Sequence, residues 1–180
     1  SRLTPYPAGG DLPREYSHTF DPFVALAACA GATKRIQLGT GICLVVERDV
    51  LTLAKEIASI DRISGGRFIL GIGAGWNAEE MQNHGVEYKN RWKVVREKIL
   101  AMRELWTKEE AEFHGEHVEF SSSWQWPKPA QTPHPPIILG GAAGPKTMKD
   151  IVEYCDGFMP ISGRYDFGEQ ITTLKQMAFV

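Results

Sequence analysis

Arg35-Ile-Gln-Leu-Gly-Thr-Gly-Ile-Cys-Leu-Val-Val46 is followed by Asp49-Val-Leu-Thr-Leu-Ala-Lys-Glu-Ile-Ala-Ser-Ile-Asp-Arg-Ile-Ser-Gly-Gly-Arg-Phe-Ile-Leu-Gly-Ile-Gly73, and these two stretches decide the fold. The first is mostly apolar at odd and even positions alike, as suits a strand covered on both faces in a parallel sheet. Asp49 caps the helix that follows, because its carboxylate can accept from the free N–H groups of a first turn. Val50, Leu53, Ala54, Ile57 and Ala58 recur at three- and four-residue steps and so share one helix face. Ser64-Gly65-Gly66 ends that helix, since glycine takes the left-handed conformation that closes one. Arg67 to Gly73 is then a second strand. Strand, helix and strand with short loops predict a right-handed parallel β/α unit.

The same rhythm extends both ways. Upstream, Asp21-Pro22 pairs an N-cap with proline at the first helical position, and Phe23, Leu26, Ala27 and Ala30 make one apolar face of a helix ending near Ala32-Thr33. The first twenty residues, with Pro5, Pro7, Gly9, Gly10 and Pro13, are a loop. Downstream, Gly75 to Trp106 is helical in two pieces. Trp92, Val95, Ile99, Met102 and Trp106 form a stripe on the second, which we assign to packing. Residues 107–136, containing Trp124, Trp126 and several prolines, are a loop-rich excursion of a length that is uncommon unless it covers a site or an edge. A strand over Ile137 to Gly140 resumes the pattern. A helix around Lys146 to Cys155 follows, with Met148, Ile151, Val152 and Cys155 facing inward. A short strand from Gly157 to Ile161 and a last helix with Ile171, Leu174 and Ala178 complete the chain. Four parallel strands with intervening helices, in one domain over 1–180, are expected.

Bulk properties narrow the function. Of 180 residues, 43% are hydrophobic and 23% charged, the composition of a globular chain and not of a disordered one. A net charge of -2 gives no general attraction to nucleic acid or anionic lipid. No apolar run approaches the roughly 18 residues of a membrane span, and no basic-then-apolar leader opens the chain, so a cytoplasmic protein is expected. Cys29, Cys43 and Cys155 are odd in number and lack CxxC spacing, which suits near-core thiols in a reducing compartment. The chain begins at Ser1 in a loop and ends at Val180 in a helix, so truncation at both ends is expected.

Glycines gather where the strands end. Thr40-Gly41 interrupts the first strand, Gly73-Ala74-Gly75 ends the second, and Gly140-Gly141-Ala142-Ala143-Gly144 ends the third. In α/β folds these carboxyl ends share one rim where ligands bind. Helix N-termini behind the glycines offer N–H groups to a phosphate. Any one glycine could serve only a tight turn; three such turns on one rim favour a phosphate-bearing cofactor. A dinucleotide fingerprint at Gly71-Ile-Gly73-Ala-Gly75-Trp76 fails, because Trp76 stands where a third glycine must pack. No GK[ST] closes a glycine loop, no Gly-x-Ser-x-Gly is present, and Lys and Arg do not cluster, against P-loop, hydrolase and nucleic-acid functions. His84, His114, His117 and His134 lack metal-ligand spacing and are expected at the surface, with no metal bound. Glu79 and Glu80 suit the first turn of a helix, although one of them could reach a ligand at the rim.

The Arg35–Val46 run, the Leu53–Phe68 segment and Leu70-Gly-Ile-Gly-Ala-Gly-Trp-Asn-Ala-Glu-Glu-Met81 together resemble luciferase-like monooxygenases, most of all the branch that uses the deazaflavin coenzyme F-420. Pro135-Pro-Ile-Ile-Leu-Gly-Gly141 and Tyr154-Cys-Asp-Gly-Phe-Met-Pro160 continue the likeness along nearly the whole chain. The resemblance implies part of a (β/α)₈ TIM barrel, approximately strands three to six with their helices, into which 107–136 is inserted. It implies cofactor contacts by Thr40 and Gly41 against the ring, by Gly73, Ala74, Gly75 and Asn77 along the ring and tail, and by Gly140, Gly141 and Ala142 at a phosphate turn. It further implies hydride transfer between coenzyme F-420 and a small organic substrate, in a full-length homodimer. An FMN-dependent monooxygenase using O₂ and an inactive fragment or association protein are the alternatives. Relatives that act on sugar phosphates carry glutamate where this chain has Trp76, which argues against such a substrate. No catalytic acid or base is assigned.

Overall fold

The computed structural model describes residues 3–142, 144–161 and 166–178; Ser1, Ala143 and Val180, all named above, lie outside the described residues. The expected α/β alternation is present. Helix α1 (Pro22–Ala32) begins where Asp21 accepts from the Phe23 and Val24 N–H groups. Helix α2 (Val50–Ser64) is capped by Asp49, which accepts from Thr52 N at 2.8 Å, and it closes at Gly65 with φ +70°. The whole stripe expected on α2, from Val50 to Ala58, is buried.

Between these helices the expected single strand is two short pieces, β1 (Leu38–Gly39) and β2 (Cys43–Leu44), both parallel to β3 (Phe68–Gly73). Val45 to Glu47 is a 3-10 turn instead of strand. Two contacts explain the break. The Thr40 hydroxyl donates to Gly71 O at 2.7 Å, and the Thr40 carbonyl lies so close to Gly71 that a Cβ there would collide with it, which bows the chain out of register. Beyond it the Lys98 ammonium donates to the Val45, Val46 and Arg48 carbonyls, so those groups turn toward it and not toward a neighbouring strand. The Gly41–Ile42 peptide, between the two contacts, is cis.

Helix α3 (Ala78–Asn83), a 3-10 turn at Tyr88–Asn90 and α4 (Arg91–Thr107) follow. The 107–136 excursion is more regular than expected. It holds an antiparallel hairpin, β4 (Ala111–His114) with β5 (Glu119–Ser123), in which Phe113 pairs with Phe120. The rest of it is pinned to α2. The fully buried Asp61 carboxylate accepts from Ala130 N, Gln131 N and Gln131 Nε2, and Arg62 Nε donates to Lys128 O at 2.7 Å.

The main sheet resumes with β6 (Ile137–Gly141), then α5 (Pro145–Tyr154), β7 (Gly157–Pro160) and α6 (Phe167–Ala178). Strand order is β1-β3-β6-β7, all parallel, with β2 also on β3. Several side chains depart from expectation. Val152 is exposed while Tyr154 is buried, because the inner stripe of α5 runs through 148, 151 and 154 in three-residue steps, and Ile171 on α6 is exposed as well. Cys29 is exposed, since it lies off the Phe23–Ala30 face of α1. His134 is buried, held by Pro135 O at 2.9 Å, and His117 is half-buried, so the histidines are not all at the surface. No helix among the described residues is long and apolar enough to cross a membrane.

Candidate functional site

Ile42, thrown inward by the bulge, organises the carboxyl end of the sheet. Its Cδ1 lies over Gly73 and its Cγ2 over Gly140; a Cβ on Gly140 would stand 2.7 Å from that methyl. Small residues at both strand ends therefore admit Ile42. Above it opens a cavity of about 620 Å³, within the size range of small-molecule sites. Its floor is Ile42, Ala74 and Gly75. Gly75 has φ +74° and packs under Met81 and Leu44, so a side chain there would be both strained and crowded.

Aromatic and apolar groups wall this space. Trp76 and Trp92 stand on two sides, and Tyr6 meets Trp76 edge-on with ring centroids 5.9 Å apart. Tyr6 also meets Tyr16 at 5.6 Å, and the hydrogen bond between their hydroxyls raises the Tyr6 pKa above its ordinary value. Pro7, Ala8 and Ile161 complete the apolar lining. Thr4 ties this N-terminal loop to α3, its hydroxyl accepting from Ala78 N at 3.3 Å and donating to Glu79.

Arg91, at the start of α4, is the one Lys or Arg of the lining among the described residues. Its guanidinium lies 3.8 Å from the Tyr88 ring centroid and donates to Tyr88 O at 2.8 Å. That leaves the remaining N–H groups of a fixed fork for an anion. Gly141, against the Trp92 ring, and Ala142 precede α5, whose N-cap Gly144 supplies no side-chain cap. Pro145 at the first position has no N–H, and the N–H groups of the first turn behind it carry the positive end of the helix dipole.

Of the residues expected from sequence, Ala74, Gly75, Gly140, Gly141 and Ala142 come together on the cavity wall. Thr40 and Gly73 sit beneath it, filling their places with the Gly71 and Ile42 contacts. Gly41 is exposed beside Ile42. Asn77 is buried and caps α3, accepting from Glu80 N at 3.3 Å. Glu79 and Glu80 stand in the first turn of α3, as a dipole role requires. Sequence reasoning missed Tyr6, Ile42 and Arg91, and it assigned Trp92 to packing. The available signal was position: Arg91 and Trp92 open α4, so they stand at the rim, while the rest of the stripe runs down into the core.

Comparison with known proteins places this geometry in context. Residues 9–179 match the family described as luciferase-like monooxygenase. An uncharacterized protein of Mycobacterium tuberculosis is 43% identical over 98% of this chain and 63% of its own length. The F420-dependent glucose-6-phosphate dehydrogenase of Amycolatopsis mediterranei is 34% identical over 86% of this chain and 46% of its own length. The oxygenating constituent of 3,6-diketocamphane monooxygenase from Pseudomonas putida, solved in complex with FMN, superposes with a TM-score of 0.78. That likeness covers 94% of this chain and 50% of the other at 21% identity, and so speaks to fold alone. The chain spans between about half and two thirds of the length of these proteins, and its sheet is one part of their barrel. With a family match over nearly every residue and a parallel sheet that opens its cavity at the strand ends, the chain belongs to the luciferase-like monooxygenase family.

Proposed function

We propose that this chain is the cofactor-holding part of an oxidoreductase that transfers hydride between coenzyme F-420 and a small organic substrate. The observation that carries this is the aromatic-walled cavity with one cation at the carboxyl ends of the parallel strands. A tricyclic ring needs a flat apolar slot, and Trp76, Trp92, Ile42 and Ala74 offer one. A phosphate-bearing tail needs a cation and free N–H groups, and Arg91 with the first turn of α5 supplies both.

When bound, the coenzyme supplies the centre that accepts or donates hydride; the protein supplies orientation, exclusion of water and charge. Tyr6 and Trp76, in edge-on contact on the cavity wall, would shield a bound ring from water. Among the described residues the wall carries no carboxylate, and a cofactor phosphate would engage Arg91. That lining favours a neutral, largely apolar substrate. An F420-dependent relative, 34% identical over 86% of this chain, supports the deazaflavin; FMN, bound by the fold neighbour, is the alternative.

Equilibrium dialysis of the chain against F-420 and FMN in parallel tests this. Saturable binding of F-420 tighter than of FMN is expected, weakened about ten- to a hundredfold by Arg91→Met, the size of a lost charge-assisted hydrogen bond. Tighter FMN binding would reassign the cofactor. Binding of neither would leave the association-protein alternative for this chain.

A further inference from the structure

A second cavity, of about 540 Å³, lies between one face of α4, strand β4 and the segment that leads into β6. It shares no lining residue with the first. We propose that this cavity binds a free α-amino acid with an apolar side chain, its carboxylate on Arg103 and its ammonium on Glu112.

The uncommitted polar groups of the lining carry the inference. Leu100, Arg103, Glu104 and Thr107 are spaced to share the face of α4 that floors the cavity. The Arg103 side chain is half-buried, yet among the described residues it makes no hydrogen bond or ion pair. Such a guanidinium is partly stripped of water and presents a planar fork, which a carboxylate fills with two parallel bonds. The carboxylates around it do not fill it. Glu104 is paired with Lys108 one turn further on. Glu112, on β4, stands 3.7 Å from His114 Nε2, too far for a hydrogen bond, and the same imidazole has Glu119 at 3.6 Å on its other nitrogen. No ion pair joins Arg103 to Glu112, so the cavity keeps one free cation and one free anion among its described residues.

His134 adds a further acceptor. Its side chain is 4% exposed, and Nδ1 lies 2.9 Å from Pro135 O. A carbonyl only accepts, so the ring proton sits on Nδ1 and Nε2 keeps its lone pair. That nitrogen has no partner among the described residues and is not shut off from solvent.

An α-amino acid answers each of these groups. Its carboxylate accepts from the guanidinium, while its ammonium brings three donors and no acceptor to Glu112 and His134. A zwitterion also leaves the charge balance of the lining as it is. A simple anion would add charge beside two glutamates, and a simple cation would stand beside Arg103 with nothing to offset it. Leu100, Phe113 and Pro133 offer an apolar bed for the side chain, in a volume typical of small-molecule sites.

Amide NMR titration of the chain with L-phenylalanine tests the site, with 3-phenylpropanoate and phenethylammonium as analogues that each lack one charge. Saturating shifts are expected at Arg103 to Thr107, at Glu112 to His114 and at His134. Affinity should fall about tenfold or more for either analogue, the size of a lost charge-assisted hydrogen bond. Arg103→Met should weaken the amino acid and 3-phenylpropanoate by as much and leave phenethylammonium nearly unchanged. Glu112→Gln should weaken the amino acid and phenethylammonium instead. The analogue series needs no substitution, so it decides even where a variant folds poorly. Shifts that never saturate, an analogue that binds as tightly as the amino acid, or unchanged affinity in either variant would each overturn the proposal.

Discussion

Ile42 shows how one residue sets the shape of the cavity floor. Its Cδ1 occupies the place of a Gly73 side chain and its Cγ2 that of a Gly140 side chain. Gly73→Ala therefore overpacks the floor and should cost about 1–3 kcal/mol in urea unfolding. Ile42→Val removes Cδ1 and keeps Cγ2, at about 0.5–1.5 kcal/mol alone. The pair should couple favourably for Gly73→Ala and not for Gly140→Ala, a distinction a double-mutant cycle reads directly. Additive Gly73 and Ile42 effects would refute the contact. The glycines were legible in the sequence as points of close approach. Their partner was not, because an isoleucine in an apolar run looks the same whether it points into a sheet face or over two neighbouring strands.

Among the elements, the hairpin depends on one side chain of α4. Glu97 accepts from Glu116 N at 3.1 Å, His117 N at 2.7 Å and Val118 N at 2.9 Å, gathering the β4–β5 turn onto the helix. Gly115 is the neighbour that leaves room for that carboxylate. Glu97→Gln replaces one acceptor oxygen by a donor. Amide hydrogen exchange across Ala111–His114 and Glu119–Ser123 should then accelerate by about tenfold or more, while α4 keeps its protection. Equal change in both elements would mean that the hairpin is not docked through Glu97. Helices α1 and α2 were legible to within a residue, since Asp21, Asp49 and Gly65 cap in ways that depend only on local chemistry. The hairpin was hidden by prolines around it, although Phe113, Val118 and Phe120 alternate with charged neighbours. The 3-10 turn at Val45–Glu47 was not legible at all, because Lys98, which holds it, is about fifty residues away.

For the molecule as a whole, the decisive fact is an open sheet. Among the described residues β1 and β7 each have a strand on one side only. Unpaired N–H and C=O groups along such edges template pairing with another copy. Sedimentation of this chain should show association that grows with concentration. Met159→Lys, which puts a charge on the exposed side of β7, should shift it toward monomer. Unchanged association in that variant would place the contact elsewhere. The parallel order was legible from the β/α rhythm; pairing at the edges depends on chain outside these strands and has no local signature.

The five tryptophans are sorted by this architecture. Trp76 and Trp92 line the cavity, Trp106 is buried with its indole N–H on Ala54 O, and Trp124 and Trp126 are exposed beyond the hairpin. The chain thus carries a built-in optical gauge with three separate channels. A yellow chromophore entering the cavity takes excitation energy first from the two indoles at its walls. Aqueous iodide darkens the exposed pair instead, and the buried indole reports on the core. Emission from a single cuvette can therefore tell filling of the cavity from loosening of the hairpin and from loss of the fold.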